Sequence, residues 1–241
     1  MFTFIDLCCG FGSMTKAFEK TGMFKCVGAY DIDPNMRTHY NYLLNRKPFG
    51  DLTSKKNRHY ISITDFDILV AGIAGLNENI FFPILEIIEE KKPKAFVLEM
   101  SKESIYFSFC NILEHFCMEQ GYHFVGFEEG IDNITLNQMD FCVPEYCERV
   151  YCVCIKKENL HCDDVLFLQL TKEKKWKDYK YRTYDPDKHI EQKRGIDFGF
   201  GKGFKFLINT PDLNKKTIIE EASPMTVVTS VALDLMSWIK D

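Results

Sequence analysis

The residues best suited to chemistry come early and in a fixed order: Gly10 and Gly12, then Asp31 with Asp33, then Asp51. The two glycines lie in Cys8-Cys9-Gly10-Phe11-Gly12-Ser13-Met14, directly after the apolar run Phe2-Thr3-Phe4-Ile5-Asp6-Leu7. Glycine there admits backbone angles closed to other residues, so the chain can pass close under a ligand while the N-terminus of a following helix faces it. Asp31 closes a second apolar run, Cys26-Val27-Gly28-Ala29-Tyr30, about twenty residues further on. An acid at that place hydrogen-bonds a ribose in a doubly wound fold. A lone G-x-G fits a tight strand-to-helix turn as well as a cofactor cradle; the order of the pieces favours the cradle.

The elements that must position these residues follow from periodicity. Apolar runs predict strands over 2–7, 26–30, 66–72, 94–100, 122–127 and 150–155, and the run at 66–72 counts as a fourth parallel strand, buried on both faces. Helical stripes predict helices over 14–21, 80–90, 105–119 and 224–239, the first stopped by Gly22 and the second by Pro93. Lys55 to His59 reads as a polar, solvated loop, and 137–144 as another loop. Alternating strands and helices with a closing hairpin imply an α/β fold, doubly wound, with a mostly parallel sheet. The expected organisation is a cofactor domain over 1–158, a polar, aromatic, glycine-bearing region over 159–211, and a C-terminal helix over 212–241 that returns to the cofactor domain.

A chain of 241 residues with 46% hydrophobic content can bury a full core. No apolar run is long enough to span a membrane and no secretory signal is evident, which together predict a cytoplasmic setting. The ten cysteines fall largely within apparent strands and helices, so they read as buried thiols. No C-x-x-C pair or neighbouring histidine pair supports a zinc site, and no metal is expected. A formal charge of −5 disfavours unaided grip on a phosphate backbone, although basic residues concentrate over 172–194.

Phe4-Ile5-Asp6-Leu7-Cys8-Cys9-Gly10-Phe11-Gly12 resembles the first motif of the DNA cytosine-5 methyltransferases. Tyr30-Asp31-Ile32-Asp33-Pro34 resembles their second and Gly50-Asp51-Leu52-Thr53 their third. The resemblance implies a class I S-adenosylmethionine-dependent methyltransferase-like fold, with S-adenosylmethionine or S-adenosylhomocysteine as cofactor. It places Asp6, Gly10 and Gly12 under the methionine end, Asp31 at the ribose and Asp51 at the adenine edge, with Cys9, Phe11, Ser13, Ile32 and Leu52 also at the cofactor. Residues 194–206, with phenylalanines alternating with glycine or lysine, resemble a truncated form of the family's small recognition region, and 226–231 its last motif.

The catalytic part of the resemblance is broken. Carbon 5 of cytosine takes a methyl group only after a cysteine thiolate attacks carbon 6, and the family supplies that thiol from a Pro-Cys pair followed by a long mobile loop. Here Ala74-Gly75 stand in those positions and a helix follows almost at once. Glu-Asn-Val becomes Glu99-Met100-Ser101, and of the two arginines of Gln-x-Arg-x-Arg only Arg149 remains. Glu99 and Arg149 are therefore vestigial base-pocket residues, or for Glu99 simply a strand-end carboxylate. Cys147 could stand in as nucleophile or merely fill space. The expectation is a catalytically degenerate homologue serving as a regulatory or structural subunit of a DNA-modification complex. Its partner would be an active methyltransferase paralogue or another DNA-modifying subunit, with weak DNA binding on its own. The alternative is an active transferase acting on an amine, a thiol or an RNA or DNA base, with Glu99 as general base.

Overall fold

The computed structural model of the protein describes residues 1–73, 78–102, 109–127, 132, 134–137, 148–160 and 225–239. The chain runs β1 (Phe2–Leu7), α1 (Ser13–Lys20), β2 (Phe24–Tyr30), α2 (Pro34–Leu44), α3 (Lys55–Ile63), β3 (Ile68–Ile73), α4 (Glu78–Lys91) and β4 (Ala95–Ser101). It continues through α5 (Phe109–Gln120), β5 (Tyr122–Phe124), β6 (Thr135–Asn137), β7 (Glu148–Lys156) and α6 (Met225–Trp238). One sheet in the order β2-β1-β3-β4-β7-β5, with β6 beside β7, carries the molecule. Strands β1 to β4 are parallel, and β7 enters antiparallel between β4 and β5.

Period-2 alternation in doubly buried strands sorts side chains to two cores. Phe4, Val70, Val97 and Val153 face one side, where they meet Phe18 of α1 and Val228, Val231 and Leu235 of α6. Ile5, Leu69, Phe96 and Cys152 face the other, against Phe81 and Ile84 of α4 and Leu113 of α5. Phe4, Phe18 and Phe24 lock β1, α1 and β2 together with ring centroids 5.0 to 6.5 Å apart. The returning helix α6 lies on α1, where the Thr229 hydroxyl donates to Ala17 O at 3.5 Å.

Three local expectations need correction. Lys55 to His59 is not a loop but the start of α3, because Ser54 caps it: its Oγ accepts the Asn57 N–H at 3.3 Å. Helix α2 was not anticipated; Asp33 accepts the Asn35 N–H and Pro34 occupies the first helical turn. The run at 66–72 becomes β3, the third strand, since the segment before it contributes only one parallel bridge, Tyr30 with Phe49. The expectations for 105–108, 128–131, 138–147 and 161–224, including Cys147 and the glycine-phenylalanine stretch, lie outside the described residues. All seven described cysteines are free, and five of them are buried.

The joint between β1, α1 and α2 is polar. Asp6 is 0% exposed, and its Oδ2 accepts the Thr15 N–H at 3.1 Å and the Thr15 hydroxyl at 2.6 Å. Tyr40 donates to the same hydroxyl at 3.1 Å, while Asp6 Oδ1 is buried without a hydrogen bond among the described residues. Burial pushes the Asp6 carboxyl up to about 7, against the Thr15 hydrogen bonds that lower it, and the charges of Asp31 and Glu99 add to the rise. Folded Asp6 therefore keeps its proton up to about 7, whereas the unfolded chain releases it near 3.8. Between those values the unfolded state gains on the folded one, so this group's effect on stability worsens as pH rises. Asp6→Asn keeps the acceptor for Thr15 and cannot ionise. Its stability advantage over the natural chain should grow from near zero at pH 4 to about 4 kcal/mol above pH 7. Denaturant unfolding at a series of pH values measures this; a pH-independent difference contradicts it.

Candidate functional site

The chain goes from β1 to β2 on one side and later to β3 on the other, so the C-terminal ends of β1 and β3 form a topological switch point. Open α/β sheets bind ligands there. Around it the loop after β1 turns sharply: Cys8, Gly10 and Gly12 have φ of 61°, 53° and 95°. Cys9 N–H donates to Tyr30 O at 2.9 Å and Gly12 N–H to Cys9 O at 2.8 Å, which fixes the turn against β2.

The two glycines do different work. A Cβ on Gly10 would meet nothing within 4 Å among the described residues, so the backbone there borders open space. One on Gly12 would sit 2.5 Å from Leu44 Cδ1 and 3.0 Å from the Tyr40 ring, so that glycine admits α2. Gly12 at the N-cap gives α1 no side-chain cap, and among the described residues only the third N–H of the helix is taken by a side chain, that of Asp6.

Asp31 closes the site on the β2 side. Its Oδ2 accepts the Gly10 N–H at 2.8 Å and its Oδ1 the Asp33 N–H at 2.8 Å. Burial raises its pKa, helped by the charge of Asp33, and these two hydrogen bonds and Arg37 oppose the rise. Asp51 sits on the next turn, with Oδ1 accepting the Thr53 N–H and hydroxyl at 2.8 and 2.7 Å. Phe49 ties that turn to β2 by donating to Ala29 O at 2.8 Å and accepting from Asp31 N–H at 3.1 Å.

Of the ten residues expected at a cofactor, Gly10, Asp31, Ile32 and Asp51 present surface, and Ile32 is 64% exposed. Asp6, Cys9, Phe11, Gly12, Ser13 and Leu52 are buried. Cys9 packs with Ala29 and Tyr40, Phe11 joins the α6 side of the core, and Leu52 joins the α4 side. They shape the rim through the backbone. Three supports were not foreseen. Cys8 takes a left-handed φ at the opening, and its thiol is pushed up by burial and by the charges of Asp31 and Asp6. Arg37 Nη1 donates to Asp31 O and Ile32 O at 2.7 and 2.8 Å, and Asn57 Nδ2 to Asp51 O at 2.7 Å. The only signal for the last two was their place one turn into helices that begin at Asp33-Pro34 and Ser54.

Glu99 and Arg149 do come together. Glu99 is 4% exposed near the end of β4, opposite Gly72 of β3, and its Oε1 lies 3.6 Å from Arg149 Nε on β7. Lys102 and Glu148 pair beside them at 2.8 Å. Ala74 and Gly75 lie outside the described residues, yet both flanks are fixed: β3 ends at Ile73 and α4 begins at Glu78. Four residues, Ala74-Gly75-Leu76-Asn77, make that connection, without a cysteine.

The model of the family described as C-5 cytosine-specific DNA methylase matches residues 2–224. Type II methyltransferase M.HhaI of Haemophilus parahaemolyticus is 30% identical over 172 residues, 64% of this chain and 49% of that protein. Type II methyltransferase M.NgoBI of Neisseria gonorrhoeae is 33% identical over 173 residues, 64% of this chain and 50% of that protein. The chain thus spans about half the length of these curated relatives. Among solved structures, the Dnmt2 methyltransferase of S. pombe has a TM-score of 0.70 at 12% identity, covering 98% of this chain and 99% of that one. The Entamoeba histolytica methyltransferase EhMeth has a TM-score of 0.66 at 12% identity, covering 98% of each chain. These two likenesses show a shared fold. With its glycine loop, its aspartate at the end of β2 and its matched sequence model, the chain belongs to the C-5 cytosine-specific DNA methylase family, a family of S-adenosylmethionine-dependent methyltransferases.

Proposed function

We propose that the chain is a catalytically degenerate member of this family that binds S-adenosylmethionine or S-adenosylhomocysteine. It acts as a regulatory or structural subunit of a DNA-modification complex, beside an active methyltransferase paralogue or another DNA-modifying subunit. One contrast carries the proposal: a cofactor rim knit by hydrogen bonds through Asp31, next to a four-residue, cysteine-free link between β3 and α4.

The rim suits the ligand chemically. The open backbone at Gly10 leaves room for the methionine part, and the uncapped first turn of α1 suits its carboxylate. Each Asp31 oxygen spends one lone pair on a backbone N–H and keeps one for a ribose hydroxyl. Asp51 uses Oδ1 within its own turn, leaving Oδ2 for the adenine amino group. Asp31 and Glu99 both act on Asp6 electrostatically, a concentration of negative charge that favours a sulfonium cation. When bound, that cofactor supplies an activated methyl group. What the link between β3 and α4 lacks is the cysteine whose thiolate would make carbon 5 of cytosine a nucleophile, and four residues are too few for a closing flap.

A second reading rests on the buried Glu99 and its partner Arg149, which persist at the acceptor end. An amine, a thiol or a base nitrogen needs no covalent help, only positioning and a base, and Glu99 would be that base.

Four outcomes test the proposal. Titration calorimetry with S-adenosylhomocysteine should give saturable heat that Asp31→Ala reduces at least tenfold, the effect of losing charge-assisted hydrogen bonds; no heat from the natural chain would remove the cofactor claim. Affinity should fall on acidification at a pH above that of an ordinary aspartate, near 3.8, because Asp31 accepts hydroxyls best when ionised and its pKa is raised. Gly10→Ala should lower affinity while costing only about 1–2 kcal/mol of stability, whereas Gly12→Ala should cost more than that through its clash with α2. Purified chain should transfer no methyl group to DNA. Robust transfer that survives Glu99→Gln would overturn the degenerate reading and also deny Glu99 the role of base.

A further inference from the structure

Charge is unevenly placed along this acidic chain. Residues 45–64 hold Arg46, Lys47, Lys55, Lys56 and Arg58 against Asp51 alone, within a protein of net charge −5. Two of these cations are engaged: Arg46 by Glu19, and Arg58 by Glu86 and Glu90. Lys47, Lys55 and Lys56 are exposed and pair with no carboxylate among the described residues.

The same stretch exposes aromatic rings. Tyr30, buried at the end of β2, stacks on Phe49 with centroids 5.0 Å apart and planes at 21°. Phe49 meets Tyr60 at 5.4 Å and 31°. Phe49 and Tyr60 are 38% and 37% exposed, so the ladder climbs from the core to solvent. Among the described residues, the Lys56 ammonium lies 5.9 Å from the Tyr60 ring centre and the His59 ring 6.3 Å from it. Lys56, Tyr60 and Ile63 follow one another at helical spacing along α3, and Ile63 is also exposed. A surface that joins stacked rings, an exposed apolar side chain and unpaired lysines matches nucleic-acid strands better than a protein partner's apolar core.

We propose that this edge is a platform for single-stranded nucleic acid. A base stacks on the outer face of Tyr60, displacing the flexible Lys56 ammonium toward a phosphate, and a second lies against the exposed part of Phe49. Phosphates along the strand meet Lys47, Lys55 and Lys56. Stacking accepts any base, so the platform holds a strand without reading its sequence. It lies on the β2 side of the sheet, three strand positions from Glu99 on β4, or roughly 14 Å. It is therefore separate from the acceptor end and does not depend on an occupied cofactor rim.

Fluorescence anisotropy of the whole chain with fluorescein-labelled oligothymidine, oligouridine and a duplex of mixed sequence tests this. Single strands should bind better than duplex, with a salt slope near −2 on logarithmic axes, from about three phosphate contacts. Phe49→Ala with Tyr60→Ala should weaken binding roughly tenfold or more. Lys55→Gln with Lys56→Gln, on an exposed turn that leaves the fold intact, should reduce the slope by about 1.4. Comparable DNA and RNA affinities mean that the platform ignores the sugar, and a preference for one names its source. Absence of binding, or binding that neither pair of substitutions alters, overturns the proposal. Self-association that the aromatic pair abolishes, without nucleic-acid binding, also overturns it and gives the face to a second copy.

Discussion

A single carboxylate holds the working edge of this molecule in register. Asp31 receives the Gly10 N–H on one oxygen and the Asp33 N–H on the other, while its own N–H and C=O are claimed by Phe49 and Arg37. The glycine loop, the end of β2, the start of α2 and the turn before Asp51 therefore all refer to one residue, the first and third through its carboxylate and the last through its backbone. Its cost is desolvation, seen in the raised pKa, and the backbone donors offset part of it. Each carboxylate oxygen keeps a lone pair, so under the proposed reading the atoms that support the rim would also meet a ribose.

Behind that edge, rigidity is supplied by close packing and one buried acid. Asp6 ties β1 to α1 through Thr15, and Thr15 in turn takes the Tyr40 hydroxyl from α2. Gly12 lets α2 approach by having no side chain to place against Leu44 and Tyr40. Residues that a motif would list together thus divide: some present surface at the rim, and others are buried and hold the loop behind it. Glu99 and Arg149 still pair across β4 and β7, but the segment from Ile73 to Glu78 has neither thiol nor length.

Much of this was legible before any coordinates. Doubly buried strands such as Ile68–Ile73 and Ala95–Ser101 announce themselves as apolar runs, and Gly10 and Asp31 follow the ends of β1 and β2 because the fold puts loops there. Helix α3 was not legible, since only Asn57 and Ile61 are buried along it and its cap is a single serine. Helix α2 hid for the same reason, burying only His39 and Tyr40. Burial of Cys9, Phe11 and Leu52 depends on neighbours contributed by α2, α4 and α6, which no local pattern encodes.

The central claim is that an adenosyl ligand still has its seat although the chemistry beside it is gone. A crystal structure of the whole chain grown with S-adenosylhomocysteine tests it most directly. The account requires the ribose hydroxyls on Asp31, the adenine amino group at Asp51 and the homocysteine backbone over Gly10. A structure at saturating ligand with that space empty, or with the ligand bound elsewhere, contradicts it.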